Sequence, residues 1–389
     1  MSLTSYYLKG EHQLFRQELR NFLQKEIVPH IDQWEKEQEI PRWVWKKFGE
    51  MGYFGLSYPQ KYGGLDADFF YTVVFLEELA RINSAGFGAS IGAHPFLACS
   101  HINAYGSDAL KEKYLAPSMT GDIFGCMAVS EPIAGSDVAN IRTTAVRKGD
   151  VYVVNGSKTF ITNGVLSDFI VAAVKTKPEA KAGGLSMLVI DRKSKGVSAN
   201  KLNKLGWHAS DTGEIFFDQV EVPVENLVGQ ENWGFYYIMD RFQLERIIMA
   251  VSGVATAEYA LEYSLEYMSQ REAFGRKINQ FQVLRHRIAD LASEVEALKT
   301  FIYHVAQLQC DGKYAVKEAS MAKLLATELS DKAVYQCLQF FGGYGFIEDF
   351  KIARMFRDSR VGTIGGGSSE IMREIIAKMV IDNISYKTK

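Results

Sequence analysis

The stretch TTAVRKGDVYVVNG, Thr143–Gly156, decides how this chain divides. Its β-branched and aromatic residues lie on either side of Lys148-Gly149-Asp150. The pattern predicts two strands around a tight turn, since such residues suit a pleated surface and Gly tolerates a left-handed backbone. Downstream, FIVAAVKT, LSMLVIDR and EIFFDQVEV are further short runs of the same kind with turn residues between them. Together they predict a compact β domain over residues 122–230.

The flanks have a different period. Leu14, Phe15, Leu19, Phe22, Leu23, Ile27 and Ile31 recur at spacings of three and four, which predicts one face of a helix. YTVVFLEELARI continues the pattern, and Pro29, Pro41, Pro59 and Pro95 separate the pieces. Residues 1–121 therefore read as an N-terminal helical domain. Residues 231–389 return to helical periodicity in GFYYIMDRFQLERIIMAVSGVATAEYALEYSLEYM and SEVEALKTFIYHVAQLQC. The order helices, strands, helices gives an α+β multidomain chain, as a length of 389 residues requires.

Composition narrows the function. A net charge of −2 predicts no electrostatic affinity for nucleic acid or anionic membrane. No apolar run approaches the ~20 residues of a membrane span, and the amphipathic N-terminus leaves no room for a signal peptide. Cys99, Cys126, Cys310 and Cys337 lie far apart without a CxxC, so no metal site is expected and a reducing compartment is. GFGASIG, Gly86–Gly92, nearly matches a dinucleotide fingerprint, but its third glycine is late and no strand precedes it. It reads as small residues that let helices pack closely. His94 just beyond reads as a packing residue.

Three polar or glycine-rich segments remain. MAVSEPIAGSD (Met127–Asp137) and KTFITNG (Lys158–Gly164) lie beside strands; Ser130, Ser136 and Thr162 suit the polar edge of a flat heterocycle, and Phe160 its face, although loop hydroxyls also bond their own backbone. QFFGGYGFIEDFKIARMFRD (Gln339–Asp358) predicts a helix ending at Gly342-Gly343. TIGGGSSEIMR (Thr363–Arg373) predicts a turn whose N–H groups approach a ligand before a helix begins.

These segments, with REAFGRKINQFQ (Arg271–Gln282), resemble the acyl-CoA dehydrogenase family over essentially the whole chain. The resemblance implies that family's fold, with an N-terminal helical domain, a β-barrel-like middle domain and a C-terminal four-helix bundle. It implies FAD as cofactor. Met127, Val129, Ser130, Gly135, Ser136, Phe160, Ile161 and Thr162 would surround the isoalloxazine, with Ser130 and Thr162 on its polar edge and N5. Arg271, Phe274, Gln282, Gln339, Gly342 and Gly343 would hold the pyrophosphate and adenosine of a flavin bound mainly by a neighbouring subunit, in a homotetramer. Ser368, Ser369 and Glu370 would complete the flavin set. Ser136, Tyr236, Gln243, Arg246, Gly366 and Gly367 would contact the acyl-CoA thioester.

The implied reaction removes the α-proton to a carboxylate and the β-hydrogen as hydride to flavin N5, giving the trans-2-enoyl-CoA. Gly366 stands at the family's usual base position and has no side chain. In the long-chain and isovaleryl branches the base instead lies on a helix of the third domain, and QLERIIMA places Glu245 there. Phe242, Met249 and Ser252 share its helical face, whereas an ion pair with Arg241 would make it an ordinary surface glutamate. The resemblance further implies electron-transfer flavoprotein as acceptor, a role in fatty acid β-oxidation, and a bacterial cytoplasmic or mitochondrial matrix location. A flavin monooxygenase, a non-catalytic acyl-CoA-binding protein and an acyl-CoA oxidase remain as other readings on the same scaffold.

Overall fold

The computed structural model describes residues 4–386. The N-terminal part is built from the helices Gly10–Phe22, Ile31–Glu37, Arg42–Glu50, Phe69–Ala80 and Ala85–Ala93. Leu19, Phe22, Leu23, Ile27 and Ile31 are buried as their spacing requires, but Leu14 is 66% exposed and lies off that face. The expected single helix is interrupted at Leu23–His30, where π and 3-10 turns accommodate Pro29. Asp68 and Ser84 cap the next helices by accepting from Phe70 N–H (2.9 Å) and Phe87 N–H (3.2 Å).

The middle part is one curled, seven-stranded mixed sheet: β1 (Gly125–Ala128), β2 (Thr144–Lys148), β3 (Val151–Ile161), β4 (Phe169–Lys175), β5 (Leu185–Asp191), β6 (Val197–Lys201) and β7 (Gly213–Pro223). The order is β1-β4-β2-β3-β7-β6, with β5 also on β4. The Lys-Gly-Asp turn between β2 and β3 forms as expected, with Gly149 at φ +60°. Strand β4 runs parallel to β1 and antiparallel to β5. Its side chains serve two cores: Phe169, Val171 and Ala173 face the helices, while Ile170, Ala172 and Val174 fill the interior of the curled sheet.

The C-terminal part is a bundle of the helices Gly234–Gln270, Gln282–Cys310, Val316–Phe341 and Ser369–Val380. Small residues let the first and third approach closely; a Cβ on Gly253 would lie 3.0 Å from the Ala326 carbonyl oxygen. The third ends where Gly342 turns to φ +57°. The REAFGRKINQFQ segment holds a short hairpin, Glu272–Ala273 with Arg276–Lys277, where no strand was expected.

Buried contacts join the three regions. The Asp358 carboxylate accepts from Trp207 N–H (2.7 Å) and Ala85 N–H (3.2 Å). Tyr303 donates to Glu77 at 2.6 Å. GFGASIG packs as its small residues predict: a Cβ on Gly86 would fall 2.7 Å from the Trp207 backbone. His94 is a packing residue, fully buried, with its ring nitrogens on Gly125 N–H and the Ser118 carbonyl. Burial lowers its pKa to about 3, so it stays neutral.

Candidate active site

Glu245 lies in the fourth turn of the 37-residue helix Gly234–Gln270. It is half-buried, and Arg241 is not its partner; that guanidinium bonds Asp240 instead. Burial pushes the Glu245 carboxyl up to about 7, against the pull of Arg246 and Lys323. Arg246 is buried and donates to Gln243 Oε1 at 3.0 Å. Gln243 is held in turn by the Met239 carbonyl at 3.1 Å.

The turn Gly365–Gly367 comes to this carboxylate from the far end of the chain. Gly366 and Gly367 have φ of +61° and +89°, conformations that favour glycine. A Cβ built on Gly366 would lie 3.4 Å from Glu245 Oε1 and 2.1 Å from Met249 Sδ. Gly366 thus faces Glu245, with Met249 Sδ filling the space that a side chain at 366 would take. Among the described residues, neither Gly366 N–H nor Gly367 N–H donates a hydrogen bond within the chain. Ser368 Oγ caps the following helix at Ile371 N–H, while Ser369 Oγ is buried without a partner and Glu370 is exposed.

A second cluster forms at the sheet edge. The Met127–Asp137 segment leaves β1 and is tied to β3, where Thr159 N–H donates to the Ser130 carbonyl (3.0 Å). Glu131 and Ala134 exchange both backbone hydrogen bonds at 3.0 Å, closing the turn before Gly135. Beneath them Lys158, fully buried, donates to Glu131 Oε1 (2.8 Å) and the Val129 carbonyl (3.0 Å). Burial pulls Glu131 up, but Lys158 and the N–H donors of Thr143 and Arg142 outweigh it, so its pKa is depressed. For the amine burial wins, and Lys158 falls to about 8. Just beyond, β3 bulges against β7, and Phe160 turns out at φ +60° and 73% exposure. Such a backbone in a bulky residue is strained. Ile161 is buried under it; Thr162 and Met127 are half-exposed, and Ser136 is exposed.

A third cluster lies at the other end of the bundle. Arg271 sits over the Tyr344 ring (5.7 Å) and makes no pair with Glu272, which bonds Lys277. Phe274, at the hairpin tip, is 96% exposed with φ +51°. Gln282, Gln339, Gly342 and Gly343 are exposed in the same region, and nothing approaches a Cβ on either glycine. This cluster lies roughly 39 Å from Glu245 along the helix, at ~1.5 Å per residue. Tyr236 is exposed in the first turn of that helix.

Three family models cover the chain almost end to end: the acyl-CoA dehydrogenase N-terminal domain over residues 9–122, the middle domain over 126–220 and the C-terminal domain over 232–381. The chain belongs to the acyl-CoA dehydrogenase family. It is similar to the mitochondrial long-chain specific acyl-CoA dehydrogenase of Mus musculus, 38% identical over 96% of this chain and 87% of that one. It is also similar to the mitochondrial isovaleryl-CoA dehydrogenase of Pongo abelii, 34% identical over 95% and 89%. Among solved structures, the acyl-CoA dehydrogenase from Geobacillus kaustophilus aligns with a TM-score of 0.93 at 42% identity, over 96% of this chain and 99% of that one.

This acyl-CoA dehydrogenase is an oxidoreductase of a flavoprotein family. The residues at the sheet edge fit such a group: an outward aromatic on a strained backbone, half-exposed hydroxyls, and open space around Gly135. Sequence reasoning placed Met249 on the face of Glu245 but gave no role to Lys158 or Lys323. A signal existed for Lys323, which shares a helical face with Ala319 and Ala326 in an otherwise apolar run. No helix among the described residues is long and apolar enough to cross a membrane.

Proposed function

We propose that this acyl-CoA dehydrogenase converts a saturated acyl-CoA thioester to its trans-2-enoyl-CoA, with Glu245 taking the α-proton. The observation that carries this reading is that Gly366 faces the Glu245 carboxylate: a Cβ built on Gly366 would lie 3.4 Å from Glu245 Oε1. FAD, when bound, supplies the two-electron acceptor for the β-hydrogen. Met127, Val129, Ser130, Gly135, Ser136, Phe160, Ile161 and Thr162 would hold its ring. The Gly366 and Gly367 N–H groups would bond the thioester oxygen as negative charge grows there. Gln243, Arg246, Tyr236 and Ser136 would bind the rest of the thioester, and Ser369 and Glu370 would border the flavin. A carboxyl with a pKa near 7 is well matched to accept a proton at neutral pH and return it to water.

A panel of acyl-CoA thioesters of increasing chain length and branching, added anaerobically, tests this. A saturated member should bleach the bound flavin and appear as enoyl-CoA. Binding without bleaching by any of them would instead favour a non-catalytic acyl-CoA-binding protein, and oxygen-dependent hydroxylation a monooxygenase. The distance of the Arg271 cluster from Glu245 supports its serving a neighbouring subunit's FAD in a homotetramer, since one dinucleotide does not span both. Arg271→Ala should therefore weaken FAD retention at least several-fold in gel filtration while acyl-chain preference stays unchanged. Unaltered FAD content on repeated dilution would count against that role. Electron-transfer flavoprotein is the acceptor we assign, in the cytoplasm or, for a mature eukaryotic chain, the mitochondrial matrix.

Because Gly366 faces Glu245, the base can be moved between the two positions. In a Glu245→Gln background, Gly366→Glu restores a carboxylate on the opposite wall of the site. The left-handed backbone disfavours this by ~1–2 kcal/mol, and Met249 Sδ blocks the new Cβ at 2.1 Å. Partial recovery of flavin bleaching is therefore expected once Met249→Ala is added. A folded triple variant no faster than Glu245→Gln alone would show that the two positions do not serve one α-carbon.

A further inference from the structure

Lys323 has no place in the chemistry above, yet its setting is unusual. It is fully buried on the Val316–Phe341 helix, and among the described residues no carboxylate bonds it. A charged amine in such a place is costly unless its protons are used. Its Nζ donates to the Gly362 carbonyl at 2.8 Å and the Gly367 carbonyl at 2.7 Å. Those carbonyls bracket the turn that carries Gly366, and Gly366 faces Glu245. The amine thus holds both ends of the turn whose Gly366 faces the carboxylate.

We propose that Lys323 is the positioning residue of this site: its ammonium clamps the 362–367 turn beside Glu245 and supplies countercharge that keeps that carboxylate ionised until it accepts a proton. The inference rests on Glu245 being the base. Two cations bear on Glu245, Arg246 from its own helix and Lys323 from the facing one. Glu328 and Glu370 act back on Lys323 from its own helix and from Ser369–Val380. Burial lowers Lys323 to about 8 and raises Glu245 to about 7, while the charge of each favours the ionised form of the other. Without the ammonium, burial of the carboxyl is opposed by Arg246 alone. The neutral acid is then favoured, and Glu245 ionises only at higher pH.

The test isolates the base from hydride transfer. A thioester with sulfur in place of its β-carbon keeps an α-proton and has no β-hydrogen to give. Its α-deuterium wash-in from D2O, catalysed by the purified holoenzyme, is followed by NMR from acidic to alkaline pH. Lys323→Met and Lys323→Gln are expected to move the midpoint up by about one pH unit or more, a roughly tenfold slower exchange on the acid side of the profile. Lys323→Arg, which keeps the charge, is expected to return the midpoint towards wild type. Melting temperatures identify any variant that does not fold; Lys323→Gln keeps donors for the turn and serves if Lys323→Met fails. Unmoved midpoints in the folded neutral variants overturn the proposal, even if exchange slows equally at every pH, because Lys323 is then only structural. A midpoint in Lys323→Arg as high as in the neutral variants overturns it too. Wild-type exchange in Glu245→Gln would instead remove the base assignment itself, whatever happens at 323.

Discussion

Glu245→Gln should bind acyl-CoA as well as wild type yet bleach its flavin roughly 10²–10⁴-fold more slowly, the span a general base contributes. The amide keeps the shape of the carboxyl and its place beside Gly366, so ground-state contacts persist. What disappears is proton affinity, which matters only as the α-proton departs, so the rate should fall without a matching loss of affinity. The pH profile gives an independent check. Burial raises the folded carboxyl to about 7, and only its ionised form accepts a proton. Wild-type bleaching should therefore climb as pH rises through about 7 and level off above it. In Glu245→Gln that limb should vanish. The same carboxyl, raised above its unfolded value, is destabilising when ionised, so its contribution to stability weakens as pH rises from the ordinary carboxylate range through about 7. A Glu245→Gln protein that bleaches at near wild-type rate would end the assignment.

Lys158→Met should destabilise the protein by about 3–5 kcal/mol, as removal of one partner from a buried ion pair does. Lys158 is fully buried and Glu131 nearly so, and the pair lies beneath the segment that carries Ser130 and Ser136. Loss of the amine leaves Glu131 with the N–H groups of Thr143 and Arg142 but without its hydrogen-bonded cation. The carboxylate must then take up a proton or admit water, and either loosens the Met127–Asp137 segment. FAD retention should fall together with the melting temperature. Lys158→Met with Glu131→Gln removes both charges and should recover most of the lost stability, a coupling that a double-mutant cycle measures directly. A single Lys158→Met protein that melts with wild type would show that the pair contributes nothing to the fold.

The order of elements was legible in the residues themselves because periodicity, glycines and prolines act over a few positions. The β2–β3 turn at Gly149 and the end of the Val316–Phe341 helix at Gly342 were read from such local signals. An empty side chain at Gly366 and an acid at Glu245 were also visible, though their meaning came from resemblance to a family. Other features depended on distant partners. Leu14 has the spacing of a core residue and lies in solvent, because only the neighbouring helices decide where a helical face ends. Strand β4 is buried on both sides because helices cover one face and the curled sheet encloses the other. Lys158 meets its carboxylate 27 residues away, and Lys323 its carbonyls 39 and 44 residues away. A lysine reads locally as a surface charge. Whether it becomes a buried clamp depends on which polar groups the tertiary structure brings to its amine, and on how completely apolar neighbours shut out water.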